Sequence, residues 1–260
     1  MPSKEQNDKG KNSTTPGATP TNVPASQERG VFKRLCMKFG ERVGTVKTSE
    51  FPEDFRALEC SVDNYMNIAL ELYKCILNVL QNNPEFVNVN VSETSTMEIE
   101  APPNSDPFEL LRGTFFGLQL HSVFPDSKKM KVCEDTLSEM AMAHRQLQVN
   151  GRKKMHKLRT FLKVTWIKWN EEREKLLKLR EEKDFAHHEY VQQPTTFLEQ
   201  KLAAANDQYE RQYEKVKVLF SKLPQIQESH RREVINVLLE LAAYNEACAD
   251  AAEKIADLIG

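Results

Sequence analysis

The sequence predicts an all-α protein whose helices are long, amphipathic and packed along their length. Glycine is scarce, with 9 residues among 260, and runs with the alternation of a strand are few. Charged residues make up 28% of the chain, a share that suits long helices with solvated faces. Apolar residues recur at alternating spacings of three and four in three long stretches. These seams predict an elongated antiparallel three-helix coiled-coil bundle with kinked helices that pairs with a second copy.

The first 47 residues divide into two segments of different composition. Residues 1–30 hold four prolines among small polar residues, so they cannot bury enough apolar surface to offset ordering entropy, and a disordered tail is predicted. Residues 31–47, VFKRLCMKFGERVGTVK, are predicted to form a short basic amphipathic helix. This segment either inserts into a membrane surface or packs on the protein's own core. Its apolar residues include Phe32, Leu35, Phe39 and Val43, and its cations include Lys33, Arg34, Lys38 and Arg42.

The first long helix is predicted to start near Ser49 and Pro52 and to end before Pro84. Its apolar seam consists of Phe51, Phe55, Leu58, Val62, Tyr65, Ala69, Leu72, Ile76 and Val79. A helix of this length cannot bury a whole seam within one chain, so a partner should cover part of it. The predicted dimer interface consists of Phe55, Leu58, Val62, Tyr65 and Leu72, together with Leu238 and Leu241 of the last helix.

An insert at about residues 84–105 interrupts this helix, with three prolines and several acids. A helix is expected to restart at Ser105–Asp106–Pro107 and to run to Pro125. A second long helix is predicted over about 126–191. His144 lies on its apolar stripe and should be a buried, hydrogen-bonded core residue rather than a ligand.

The last long helix follows a break at Pro194. Thr196 and Glu199 form a capping-box pattern at its start. Pro224 lies within its apolar seam, so a kink is predicted there.

Positive charge is concentrated in GRKKMHKLRTFLKVTWIKWN, residues 151–170, although the net charge of the chain is −2. From Arg152 to Lys183 there are 12 lysines and arginines against 5 glutamates, a net of +7. Such a basic ridge either binds an anionic surface or only solubilises the helix, and its single sign of charge favours binding. At 100° per residue, four lysines project opposite the apolar stripe and two flank it: Lys153, Lys157, Lys175 and Lys178, and then Lys163 and Lys168.

No residue pattern predicts catalysis or metal binding. The sequence contains no phosphate-binding loop, nucleophile elbow or zinc-protease motif. His187 and His188 are adjacent and would point about 100° apart on a helix, which makes a poor chelating pair. We therefore predict a protein that is not an enzyme, with no catalytic residue, cofactor or metal. Five single cysteines without a CxxC pair indicate reduced thiols, so a cytoplasmic protein is expected.

The order of these features resembles a BAR domain of the endophilin and amphiphysin (N-BAR) type, over about residues 31–259. KFGERVGTVKTSEFPEDFRALECSVDNY resembles the entry of that family, and NVLQNNPEF resembles the point at which endophilins interrupt helix 1. FFGLQLHSVFPDSKKM resembles the turn into helix 2, and KLRTFLKVTWIKWNEEREKLLKLREEKDFAHHEY its distal half. SKLPQIQESHRREVINVLLELAAYNEACADAAEKI resembles the kinked third helix.

The resemblance implies that residues 48–260 form a crescent-shaped antiparallel homodimer. Its concave basic face would bind anionic membranes and sense or generate curvature, in endocytosis or in vesicle or organelle remodelling. The segment 31–47 would be the membrane-active helix. The implied membrane-binding residues of helix 2 are Arg152, Lys153, Lys154, Lys157, Arg159, Lys163 and Lys168, followed toward the tip by Lys175, Lys178, Arg180 and Lys183.

The sequence departs from the family at three places. His187 and His188 stand where family tips often carry lysine and arginine, which implies that binding strengthens below about pH 6.5. The insert is acidic, whereas endophilin inserts help to wedge into the membrane, and acidic charge is repelled by anionic lipid. No SH3 domain follows within this chain, so no SH3-mediated partners are expected from it.

Two other interpretations stay open. The first is a coiled-coil scaffold or interaction protein without membrane activity. The second is nucleic-acid binding by the basic ridge, which lacks the interleaved aromatic and glycine features of RNA-binding modules. We therefore expect a cytoplasmic protein that is peripheral on membranes, with a homodimer and anionic phospholipid as partners and no nucleic acid.

Overall fold

Helices and their connections make up the part of the chain that the computed structural model describes, namely residues 48–87, 99, 101–120 and 127–256. No strand occurs within these ranges, so the predicted all-α fold is confirmed. The described residues from Ser49 onward form one folded unit. The predicted tail, the middle of the insert and the segment 31–47 lie outside the described residues, and with them Phe32, Lys33, Arg34, Leu35, Lys38, Phe39, Arg42 and Val43.

Helix α1, Glu53–Leu80, begins after Pro52 as the sequence predicts. Glu53 and Asp54 lie in its first turn, where carboxylates interact favourably with the helix dipole. The chain leaves the helix at Gln81 and forms a 3-10 turn at Pro84–Phe86, which confirms the predicted end before Pro84. The buried side of α1 holds Phe55, Val62, Ala69, Tyr73, Ile76, Leu77 and Leu80.

Helix α2, Pro107–Leu120, begins with a capping box. The Asp106 carboxylate accepts a hydrogen bond from the backbone N–H of Phe108 at 3.0 Å, and the Glu109 carboxylate accepts one from the N–H of Asp106 at 3.2 Å. The second oxygen of Asp106 contacts Nδ1 of His144, and both residues are buried. The prediction that His144 is a buried, hydrogen-bonded core residue is confirmed.

The second long helix is interrupted, which the sequence did not predict. It consists of α3, Ser127–Lys154, then α4, His156–Thr160, a π-helical segment at Phe161–Thr165, and α5, Trp166–Gln192. Met155 has φ −93° and ψ 19°, outside the α-helical range. The uninterrupted helix predicted for 126–191 is therefore wrong in its middle, although its two ends are placed correctly.

The third long helix is divided into α6, Thr196–Phe220, and α7, Leu223–Ala256. The N-cap of α6 is Thr195, whose hydroxyl accepts a hydrogen bond from the N–H of Leu198 at 3.2 Å, so the predicted cap at Thr196 is displaced by one residue. A kink was predicted at Pro224, and the helix is interrupted at Ser221 and Lys222, just before that residue. Proline suits the first turn of α7 because its missing N–H has no partner to lose there.

The two interrupted helices pack side by side along their length. Helix α5 packs on α6, α3 packs on α7, and α2 lies against α3, so the second and third long helices run antiparallel. Helix α1 contacts both pairs. Aromatic contacts connect α6 to its neighbours. Between ring centroids, Phe55 of α1 lies 4.9 Å from Tyr213, and Trp169 of α5 lies 5.7 Å from Phe220.

Candidate functional site

The cations of the basic stretch differ in how far they reach solvent. Arg152 and Arg159 are half-buried, and both contact other residues. The exposed members of the predicted set lie on α3, α4 and α5: Lys153, Lys154, Lys157, Lys168, Lys175 and Lys178. These six lysines define what we call the lysine ridge.

Lys163 does not belong to this ridge. Its side chain is only 8% exposed, and the two preceding residues, Phe161 and Leu162, are buried as well. An α-helix turns each residue by 100° and cannot bury three consecutive side chains on one face, whereas the wider π-helical turn changes that spacing. The prediction that Lys163 flanks the apolar stripe is wrong because the helix type changes at Phe161.

Ion pairs divide the lysine ridge into two groups. Lys154 lies 3.5 Å from the carboxylate of Glu240 on α7, and Lys175 lies 2.8 Å from that of Glu172. The remaining ammonium groups have no ion pair with any residue in the described ranges, and they belong to Lys153, Lys157, Lys168 and Lys178. These four side chains are therefore available to an external anion.

The carboxylate of Glu172 ties α5 to α6. It accepts hydrogen bonds from Gln212 at 2.8 Å and Lys175 at 2.8 Å, and it pairs with Lys215 at 2.6 Å. These bonds, with that from Gln212 the largest cause, lower the pKa of Glu172 from 4.5 to about 2. Glu172 therefore stays ionised and offsets the charge of Lys175.

Two cations assigned to the tip by resemblance pack against aromatic rings. The guanidinium of Arg180 lies 4.6 Å from the ring centroid of Phe51, and the ammonium of Lys183 lies 4.0 Å from that of Tyr209. Both side chains are half-buried. Their charge contributes cation–π attraction within the chain, and it is less available to a ligand than that of Lys178.

Arg173 is a further cation with a structural role. It donates hydrogen bonds to the Asp63 carboxylate at 2.7 and 2.9 Å and lies over the ring of Trp166 at 5.5 Å. The contact joins α5 to α1. The net charge of +7 counted from the sequence therefore overstates the charge that a ligand can reach.

The turn between α5 and α6, residues 193–195, carries exposed side chains of two kinds. His187 and His188 are exposed on the last turns of α5. Val191 and Phe197 are also exposed, Phe197 at 74%, and sequence reasoning missed both. Their position off the apolar seams, beside a predicted break, was the signal that could have found them.

All three long helices meet at the interruption of the second. The Glu233 carboxylate of α7 accepts hydrogen bonds from the backbone N–H groups of Lys157 at 2.7 Å and Leu158 at 2.8 Å. One turn earlier on α7, Nδ1 of His230 lies 2.8 Å from the hydroxyl of Tyr65 on α1. Burial lowers the pKa of His230, and its hydrogen bond to the backbone of Lys157 partly opposes that effect.

The residues predicted to line a dimer interface lie at different depths. Phe55 and Val62 are enclosed by other residues of the same chain. Leu58, Tyr65, Leu72 and Leu241 are partly buried against the core. Leu238 is 56% exposed, and other exposed apolar side chains on α1, α3 and α7 are Ile68, Val79, Met142, Ile235 and Leu239.

Interrupted antiparallel helices, a lysine ridge and exposed apolar residues together suit a helical module that meets another surface. A model of the BAR domain family matches residues 26–259, nearly the whole chain. The chain belongs to the BAR domain family. BAR domains generally dimerise, bind membranes peripherally and sense or generate membrane curvature, and they are typically not enzymes. No curated protein matches this BAR domain significantly.

Within the described ranges, no helix of this BAR domain combines the length and apolar character that crossing a bilayer requires. Nor do three or more His, Cys, Asp or Glu side chains come together there in an arrangement that could hold a metal ion.

Proposed function

We propose that this BAR domain is of the N-BAR type and acts as a homodimer that binds anionic membranes and senses or generates their curvature. The observation that carries the proposal is the set of exposed lysines on α3, α4 and α5 that form no ion pair with any described residue: Lys153, Lys157, Lys168 and Lys178. The setting would be endocytosis or the remodelling of vesicles or organelles, with the protein cytoplasmic and peripheral on the membrane.

The electrostatic attraction of these four lysines to an anionic surface is large enough for reversible binding without a lipid anchor. Near an anionic surface each lysine contributes about 1 kcal/mol, and the effect fades beyond about 8 Å in physiological salt. Four lysines therefore contribute about 4 kcal/mol per protomer, and a homodimer presents two sets. Lys154 and Lys175 add less because their acidic partners lie 3.5 and 2.8 Å away.

Apolar residues supply a second attachment. In the segment 31–47, Phe32, Leu35, Phe39 and Val43 would insert between headgroups while the neighbouring cations contact phosphates. Exposed Val191 and Phe197 offer apolar contacts near the turn at residues 193–195. His187 and His188 are exposed beside them.

Exposed leucines support the homodimer. Leu238 and Leu239 are 56% and 62% exposed on α7, although large apolar side chains are normally placed away from water. A second copy covering them would bury area that one protomer leaves open. Phe55 and Val62 are left out of the proposed interface because their own protomer already encloses them.

Sedimentation with vesicles tests the proposal directly. We expect the protein to bind vesicles rich in anionic phospholipid and to dissociate from them as salt is added. It should not bind neutral vesicles. Because nucleic acid would show the same salt dependence, DNA and RNA of matched charge serve as competitors. Preference for nucleic acid would contradict the membrane proposal, and binding to neither would favour the scaffold interpretation.

A further inference from the structure

The second long helix is interrupted at Met155, one turn after Gly151 and less than two turns before the π-helical segment Phe161–Thr165. Its hydrogen-bond ladder is interrupted at Met155, yet neither Met155 nor His156 is a glycine or a proline, the usual causes of such breaks. The helix resumes at His156, so the N–H groups of its new first turn lack acceptors within the helix. A helix start inside a bundle requires an acceptor from elsewhere.

Glu233 supplies that acceptor from another helix. Its two carboxylate oxygens take the N–H groups of Lys157 and Leu158 at 2.7 and 2.8 Å, one each. Both distances suit charge-assisted hydrogen bonds, and the negative charge lies at the positive end of the new helical segment. Glu233 is separated from these residues by 76 and 75 positions, so the contact is purely tertiary.

The position of this carboxylate is unusual for a charged side chain. Glu233 is 8% exposed and forms no salt bridge with any described residue. Burying an ionised carboxylate is costly unless hydrogen bonds compensate for the lost water, and here the compensation comes from the interruption itself. The carboxylate and the interruption therefore stabilise each other.

The interruption also divides the lysine ridge. Lys153 lies before it on α3, whereas Lys168 and Lys178 lie after it on α5. The angle between α3 and α5 therefore sets the position of Lys153 relative to Lys168 and Lys178. That position determines how curved a surface must be for all three lysines to contact it at once. A loosened interruption would admit a wider range of angles.

We propose that Glu233 sets the curvature preference of this protein. It acts as a positioning residue that fixes the angle between α3, which carries Lys153, and α5, which carries Lys168 and Lys178. This inference rests on the proposed function, because it requires the lysines to bind the membrane. It assigns Glu233 no contact with lipid.

The variant Glu233→Gln tests the inference with little change in volume. A glutamine has one acceptor oxygen and an NH2 group, so only one of the two N–H groups keeps its partner. The matched control is Glu240→Gln, which makes the same charge change on the same helix. Glu240 also contacts the second long helix, through the side chains of Asn150 at 2.9 Å and Lys154 at 3.5 Å. The control therefore removes side-chain contacts just before the interruption but leaves the backbone hydrogen bonds to Glu233 in place.

Residue-resolved hydrogen–deuterium exchange reports on the interruption without any membrane. In the wild type the amides of Lys157 and Leu158 should be protected, and in Glu233→Gln at least one should exchange about tenfold faster or more. Unprotected amides in the wild type would overturn the inference even if the variant failed to fold. Unchanged exchange in Glu233→Gln would overturn it as well.

Binding to small and to large vesicles of one anionic composition then reports on curvature. The ratio of the two affinities should differ from one in the wild type and in Glu240→Gln, and should fall toward one in Glu233→Gln. Equal losses at both sizes would show a merely stabilising residue and overturn the inference. A wild type that binds no vesicles would refute the proposed function as well as the curvature role. Faster exchange of the two amides in Glu233→Gln would still show that Glu233 caps α4.

Discussion

Reversing three lysines of the ridge should abolish membrane binding while leaving the fold intact. The variant is Lys153→Glu, Lys168→Glu and Lys178→Glu, which changes exposed side chains without ion pairs to described residues. At about 1 kcal/mol per lysine, neutralising all three would lower affinity about 100-fold per protomer, and reversal adds repulsion to that loss. Exposed substitutions of this kind change the free energy of unfolding by about 0.5 kcal/mol or less each.

Sedimentation with anionic vesicles at physiological salt measures the affinity, and circular dichroism and analytical ultracentrifugation confirm that helix content and dimer are kept. A matched control reverses three exposed cations outside the ridge: Arg112→Glu, Arg211→Glu and Lys222→Glu. The control should retain most of the binding. If the ridge variant binds normally, or if the control loses as much affinity, the charge at residues 151–178 has no special role in binding and the reasoning is refuted.

Three further changes test the packing, the electrostatics and the association of the protein. Gly151→Ala places a Cβ 2.6 Å from a methyl carbon of the fully buried Leu80. The overpacking should lower the free energy of unfolding by about 1–3 kcal/mol, measured by chemical denaturation. An unchanged denaturation midpoint would count against the close contact. For Glu172, whose pKa is lowered from 4.5 to about 2, the stabilisation is present above pH 4.5 and fades as pH falls toward 2. Glu172→Gln should therefore melt below the wild type at pH 7, and the gap in Tm should close toward pH 2; a gap that persists there would have another cause. Leu238→Asp should keep the protomer folded yet raise the dimer Kd at least about 100-fold, because each of two leucines loses about 1.5–3 kcal/mol of burial; an unchanged sedimentation equilibrium would place the interface elsewhere.

The all-α fold class and most helix ends could be predicted because their causes are local. The seam of α1 and the end of that helix before Pro84 follow from residue spacing and from proline geometry. The same holds for the break before Pro224, where the missing N–H of proline acts on its own helix. His144 was assigned correctly because its place on an apolar stripe already implied burial with a partner.

The candidate site could be predicted only in part. The stretch 151–170 showed where positive charge is concentrated. Of the membrane-binding cations predicted between Arg152 and Lys183, six are exposed lysines. Which cations are free depends on acids brought close by folding, such as Glu240 beside Lys154 and Asp63 beside Arg173. Because these acidic partners are far away along the chain, the local sequence around each cation does not reveal that its charge is neutralised.

The sequence by itself determined an all-α chain of long helices with a basic second helix, because periodicity, prolines and charge act over a few residues. Its resemblance to BAR domains indicated the family that the family model shows. Only the tertiary structure decided that the helix is interrupted at Met155 and that Lys163 is buried eight residues later. Met155 and His156 are compatible with a continuous helix. The interruption is stabilised by the carboxylate of Glu233, which lies 76 positions from Lys157, and no local pattern records a hydrogen bond that forms only when α7 packs against α4.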